Sequence, residues 1–196
     1  MNANFIIKFL RCFKFVKIRE FFKILKIRQI RILELCGRLS VPAMNFTINV
    51  DDHLMALYFD GVQVPNTSLP NAFVYSATDT VILPSATRVI AIYAWNEYGA
   101  AGLLASTADG RVVTSCDWRC TDSTPPSDWM MVDFDDNDWE QASAEEQNND
   151  EALHYEKYMP NINNCSYWIW SNFVPESNEY YFGFNAYAYC RLKLFN

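Results

Sequence analysis

Residues 117–142, DWRCTDSTPPSDWMMVDFDDNDWEQA, decide how the rest of the chain is read. Trp118, Trp129 and Trp139 recur about ten residues apart with turn formers between them. That spacing suits large buried anchors joined by short excursions of backbone, and it does not suit a long helix. Pro125 and Pro126 remove two backbone donors and force an extended or turning path, so this half of the stretch bridges between elements. Phe134 and Trp139 flank an acidic knuckle, Asp135, Asp136, Asn137 and Asp138, whose short polar side chains suit a turn or a helix start. On this reading the aromatics point inward and the acids outward.

The same texture extends through the chain. It has 196 residues, 51% of them hydrophobic and 16% aromatic, with only 20% charged. This is enough apolar material for one domain with a substantial core, or at most two small ones. Aromatic and β-branched side chains fit a pleated, half-buried surface, so the expected class is all-β.

The net charge of −7 hides a division. Residues 1–38 hold ten of the sixteen Lys and Arg with only Glu20 and Glu34 as acids, which leaves six basic against 21 acidic residues afterwards. A body this acidic repels phosphate backbones, which excludes nucleic acid as its partner. Residues 5–34 interleave Phe, Ile and Leu with Lys or Arg and contain no Gly or Pro, the pattern of a basic amphipathic helix. Such a helix could lie on an anionic membrane surface or serve as a mitochondrial presequence, although it lacks the serines that presequences favour. No secretory signal or membrane span is visible. The composition changes after about Ser40, as it would if a misplaced gene start had replaced a signal peptide. Residues 1–40 are therefore expected to stand outside the fold, which is placed at 45–196.

From Asn45 onward, short runs alternate with a period of two. FTINVD is one strand candidate, and HLMALYFDGVQV is a hairpin turning at Asp60-Gly61. TDTVILPSATRVIAIYAWN supplies two longer strands parted by Pro84 and Ser85, and LLASTADGRVVTS is a second hairpin turning at Asp109-Gly110. Residues 140–164, polar and acidic, read as a long solvated loop without a core. YWIW, YYFGF and YCRLKLF close the chain as three more strands, so the regular spacing argues for a sandwich or jelly roll.

Six cysteines include Cys12 and Cys36 in the basic segment and Cys116, Cys120, Cys165 and Cys190 in the body. The body's four allow three pairings, and their spacing lacks a zinc pattern, so disulfides in an oxidising, extracellular compartment are expected. Sequons at Asn45, Asn66 and Asn164 point the same way, with little weight, because this composition gives roughly two by chance.

No residue set demands catalysis, a cofactor or a metal. Asp133, Asp135, Asp136 and Asp138 offer paired carboxylates only by abundance and read as solvated or capping groups. They also fail as a calcium loop, since Asp138 stands where glycine is needed and Ala144 where a bidentate Glu is needed. Calcium held by Asp51 or Asp52 and loop carbonyls is left open. His53 and His154 sit in polar surroundings, outside any triad arrangement. For binding, Asn96, Glu97 and Tyr98 follow the strand RVIAIYAW and precede Gly99, which makes them a loop tip with an aromatic face for a pyranose and polar groups for its hydroxyls.

Taken in order, LYFDGVQV, RVIAIYAWN, GLLASTADGRVVTS, DWRC, W-x4-FDDNDWEQA, WIW and a closing strand with Arg191 resemble the galactose-binding-domain-like β-sandwich that serves glycoside hydrolases as an accessory sugar-binding domain. The resemblance implies a jelly roll in which Gly61 and Gly110 make hairpin turns, Trp139 and Trp168 are core aromatics, and Asp135 and Asp136 pin the long loop. It transfers no sugar site, because contacts in such domains come from variable loop tips. With no catalytic barrel after Asn196, the expectation is a non-catalytic, lectin-like extracellular module whose partners are glycans or glycoproteins. The other expectation is a structural or protein-binding matrix domain. The family's WRC-like and YCR-like motifs imply a Cys120–Cys190 bridge, leaving Cys116 to pair with Cys165. The first of these closes about seventy residues, a loop worth about 4 kcal/mol in the chain-entropy view.

Overall fold

The computed structural model describes residues 43–99, 101–149, 158–171 and 186–194, all of them in the unit Val41–Asn196. The helix expected over residues 5–34 lies outside the described residues, as do YYFGF and His154. The described residues form eleven strands and no α-helix: β1 (Met44–Asp51), β2 (His53–Phe59), β3 (Val62–Gln63), β4 (Asp79–Leu83), β5 (Val89–Asn96), β6 (Gly102–Thr107), β7 (Arg119–Thr121), β8 (Glu140–Gln141), β9 (Ser143–Gln147), β10 (Tyr167–Trp170) and β11 (Ala186–Lys193). They make two sheets, ordered β4-β1-β6-β10-β9 and β3-β2-β5-β11-β7-β8, and all their pairings are antiparallel. The protein is a two-sheet antiparallel β-sandwich.

Side-chain parity builds the core. Phe46, Ile48 and Val50 of β1, Ile90, Ile92 and Ala94 of β5, and Ala188 and Cys190 of β11 all face the space between the sheets, joined there by Leu103, Ile169 and Trp118. The two Asp-Gly pairs turn the chain as expected. Asp60 (φ 51°) and Gly61 (φ 83°) both adopt the left-handed region between β2 and β3. The Asp60 carboxylate accepts the Arg88 and Val89 amides at 2.8 and 2.7 Å, which ties that turn to the start of β5. At Gly110 (φ 69°) the turn closes through the Thr107 amide bonding to the Val112 carbonyl at 2.9 Å. Beyond it the return is short: Val113 makes a single bridge to Ser106, and the Thr114 amide donates to the Ala105 carbonyl at 2.9 Å.

Residues 140–164 depart from the sequence reading. They carry β8 and β9, and Asn148 is fully buried. Its amide group donates to the Met159 and Ile162 carbonyls at 3.0 and 2.8 Å and accepts the Met159 amide at 2.8 Å. That bracket seats Met159 and Ile162 against Leu104 and Trp168 as a small second core. β9 is polar because it is an edge strand, where charge discourages further pairing.

Cys120 and Cys190 stand directly opposite each other on β7 and β11, both facing the core, and are joined in a disulfide. The second bridge expected, Cys116 with Cys165, is not formed: Cys165 is an exposed free thiol. Its backbone amide donates to Asn163 Oδ1, and the Ser166 amide closes the same turn onto the Asn163 carbonyl, which holds Cys165 at a tight surface tip instead of on a strand facing a partner.

Residues 122–139 leave the second sheet and return to it at one place, because β7 and β8 pair across the base through Arg119 with Gln141 and Cys120 with Glu140. This strap lies over the outer face of the sheet. Trp118, just before it, is fully buried with its indole N–H on the Val113 carbonyl at 2.9 Å. Trp129 is buried and Trp139 half-buried.

Candidate functional site

The outer face of the second sheet has a register that sorts its side chains into rows. His53, Trp95 and Tyr187 are cross-strand neighbours on β2, β5 and β11. Next come Ala56, Tyr93, Tyr189 and Thr121, and then Tyr58, Ala91, Arg191 and Arg119. The strap covers the later rows and leaves the first one open.

Under the strap, Trp129 meets Tyr58 and Tyr189 edge-on at 5.8 and 5.4 Å and stacks on Trp139 at 6.1 Å. Val89 and Ala91 complete this cluster. Arg191, fully buried, lies with its guanidinium 5.1 Å from the Phe134 ring centre. It donates to the Met131 carbonyl at 2.8 Å and to the Asp136 carboxylate, and Lys193 reaches the other oxygen of that carboxylate at 2.7 Å. Burial lowers the pKa of Arg191, and the Asp136 charge works against that shift. Asp136 therefore points inward and fastens the strap, which corrects the reading of the knuckle acids as outward-facing solvated or capping groups and agrees with the pinning role that the resemblance implied for it. A lone buried charge would be costly, and the pair meets that cost by satisfying most of its hydrogen-bonding groups.

At the open end the rings continue as a row. His53 stacks on Trp95 at 4.7 Å and 28°, Trp95 on Tyr187 at 6.3 Å and 19°, Tyr187 on Tyr93 at 6.0 Å and 28°, and Tyr93 on Tyr189 at 4.6 Å and 2°. Phe73, from the loop before β4, tilts against His53 at 5.3 Å. Planes in contact lie about 3.6 Å apart, so a 6.3 Å centre distance means a lateral offset of about 5 Å. The rings are shingled, and each leaves part of its face uncovered. Phe73 is 62% exposed and Tyr187 38%, while His53, Trp95 and Tyr93 are half-buried. Burial and the neighbouring Tyr189 hydroxyl push the Tyr93 phenol up to about 12.

The expected loop residues border this row unequally. Asn96 is the last residue of β5, fully buried, with its amide N–H on the Gly99 carbonyl at 3.2 Å. It is not at the loop tip that the sequence suggested, because the inward parity of β5 extends to it. Glu97 and Tyr98 do stand at the rim. The Asp52 carboxylate accepts both of their amides, at 2.9 and 3.1 Å, and so fixes the turn. Glu97 Oε2 lies 3.4 Å from His53 Nε2, and Tyr98 is 63% exposed. The sequon residues Asn45, Asn66 and Asn164 are all exposed.

Sequence reasoning passed over Trp95, Tyr93, Tyr187 and Phe73, and it set His53 in polar surroundings, whereas register packs that ring between Trp95 and Phe73. The signal was in VIAIYAWN and in the AYAY that opens the last strand, where large rings stand at the parity opposite the core residues. One parity of a sandwich strand faces water and is normally polar, so large rings there imply either a cover or a ligand. The strap is the cover for half of them.

No protein-family model, no curated protein and no solved structure matches this chain.

Proposed function

We propose that this protein is a non-catalytic, lectin-like carbohydrate-binding module of the extracellular space, built on a jelly roll of the galactose-binding-like kind, and that its sugar site is the open aromatic row with Glu97 and Tyr98 at its rim. The observation that carries this reading is the shingled set His53, Trp95, Tyr187 and Tyr93, half uncovered on the sheet face where the strap buries Trp129 and Tyr189. Partly exposed ring faces suit the C–H face of a pyranose, and the carboxylate and phenol beside them suit its hydroxyls. The disulfide supports an oxidising compartment, and the three exposed sequon residues are the acceptors such a compartment would glycosylate. A glycan array probed with the full chain tests the reading. Binding to at least one glycan, weakened by both Tyr187→Ala and Tyr98→Ala, is expected. A folded protein that binds none would leave the structural or protein-binding matrix reading in its place.

A further inference from the structure

The charges of the second sheet are sorted by end. β2 and β5 meet Glu97 and Asp52 where His53 begins one strand and Trp95 nears the close of the other, and β1 ends there in Asp51. Every described Lys and Arg lies elsewhere. Arg88 bonds the Asp60 turn at the opposite end of β5, and Arg111 pairs with Asp109 beside the start of β1. Arg119, Arg191 and Lys193 are held at the strap, through the Trp139 carbonyl for the first and Asp136 for the other two. On the far side of the row Thr121 faces Tyr189, and the exposed Asp122 follows it directly. The uncovered rings are therefore flanked by carboxylates, with no described Lys or Arg beside them and only the His53 imidazole in contact with Glu97.

Glu97 is the carboxylate best placed to act. Asp52 holds its backbone, its side chain is 42% exposed, and its one contact among the described residues, with His53, uses only Oε2. The indole of Trp95 is stacked on that same His53 at 4.7 Å. A carboxylate beside the partly open faces of Trp95 and Tyr187 is the environment that attracts an organic ammonium, by ion pairing and by the ring quadrupole together. The same environment repels uronate, sialate or sulfate groups.

We propose that the aromatic row selects glycans by charge, and that its ligand is a polysaccharide carrying free amino groups, of the β-linked glucosamine type, with Glu97 as the residue that sets the preference. This rests on the sugar-binding reading and deepens it. An amino sugar supplies what both halves of the site ask for: an apolar pyranose face for the rings and an ammonium for Glu97.

Titration calorimetry of the full chain with three oligosaccharides of equal length, glucosamine, N-acetylglucosamine and galacturonate hexamers, tests it. The glucosamine hexamer should bind at least tenfold more tightly than its acetylated counterpart at low salt, the galacturonate hexamer should not bind, and added salt should erode the difference. Glu97→Gln should cancel most of the preference, weakening binding of the glucosamine hexamer far more than that of its acetylated counterpart. Glu145→Gln, which removes the same charge from β9 on the other sheet, should leave the preference intact. Equal or tighter binding of the acetylated or acidic hexamer would overturn the charge selection and spare the sugar site. Absence of binding to all three, with array binding to other glycans, would also overturn the selection. Absence of binding to any glycan would overturn both.

Discussion

The two halves of the second sheet's outer face start from the same material and end differently. Both are made of β2, β5 and β11, and both set large aromatics on the outward parity. Over one half the strap adds Trp129, Phe134 and Trp139, and a buried Arg191 with Asp136 fastens it down. Over the other half, rings of equal size stand half in water beside an acidic rim. The covered rings need no explanation beyond stability, since burying a large aromatic is worth about 2–3 kcal/mol. The open rings forgo that gain. The proposed ligand, by covering them in turn, would supply the reason for their presence.

Two expected effects would break the covered half. Replacing Cys120 and Cys190 together by Ser should cost the most, about 4 kcal/mol, because the bridge spans a sequence separation of 70 residues at the root of the strap. Denaturant unfolding of oxidised wild type and the double variant measures it. Arg191→Met should follow at about 3 kcal/mol, since it leaves Asp136 buried with only the half-exposed Lys193 as counter-charge. The melting temperature should then fall by about 10 °C, at roughly 2–4 °C per kcal/mol for a chain of this size. Adding Asp136→Asn to Arg191→Met should recover part of that loss. If it recovers none, the ion pair is not what fastens the strap.

A smaller effect sharpens the boundary between the halves, where Tyr93 stacks on Tyr189. The phenol of Tyr93 is pushed up to about 12 from 10.0, first by burial. Its proton is therefore kept in the folded chain after the unfolded chain has released it. Stability from this group is whole below pH 10 and is lost as the pH rises toward 12. Urea unfolding between those values should show a decline that Tyr93→Phe reduces, and an identical decline in both proteins would contradict the raised Tyr93 phenol. Smallest of all, Cys165 should react with a maleimide in the native protein without changing the melting temperature, because its exposed side chain lies outside the core. Protection of that thiol until unfolding would show it bridged after all.

Much of this fold was legible from local rules. The Asp-Gly turns and the alternation of β1 each follow from one short stretch, while the Cys120–Cys190 bridge was expected from the resemblance and its loop length. What escaped was non-local. The acids of the knuckle look alike in sequence, and only the return of β11 beneath the strap separates buried Asp136 from its exposed neighbours. Asn148 sits in a polar run, and its burial depends on two carbonyls that lie 11 and 14 residues further on. The candidate site was legible only at its rim, where Glu97 and Tyr98 adjoin a glycine turn. The rings of β2, β5 and β11 come together by register across 134 residues of chain, from His53 to Tyr187, which no single stretch announces.

The central claim, that one half of this sheet face serves stability and the other recognition, is tested most directly by a paired substitution read twice. Trp129→Ala and Trp95→Ala are each assayed for melting temperature and for binding to the glycan that the array identifies. Trp129→Ala should cost about 3–5 kcal/mol and leave affinity unchanged where the protein remains folded, whereas Trp95→Ala should cost about 1 kcal/mol and abolish binding. Loss of binding in both, or undiminished binding in Trp95→Ala, would contradict the division.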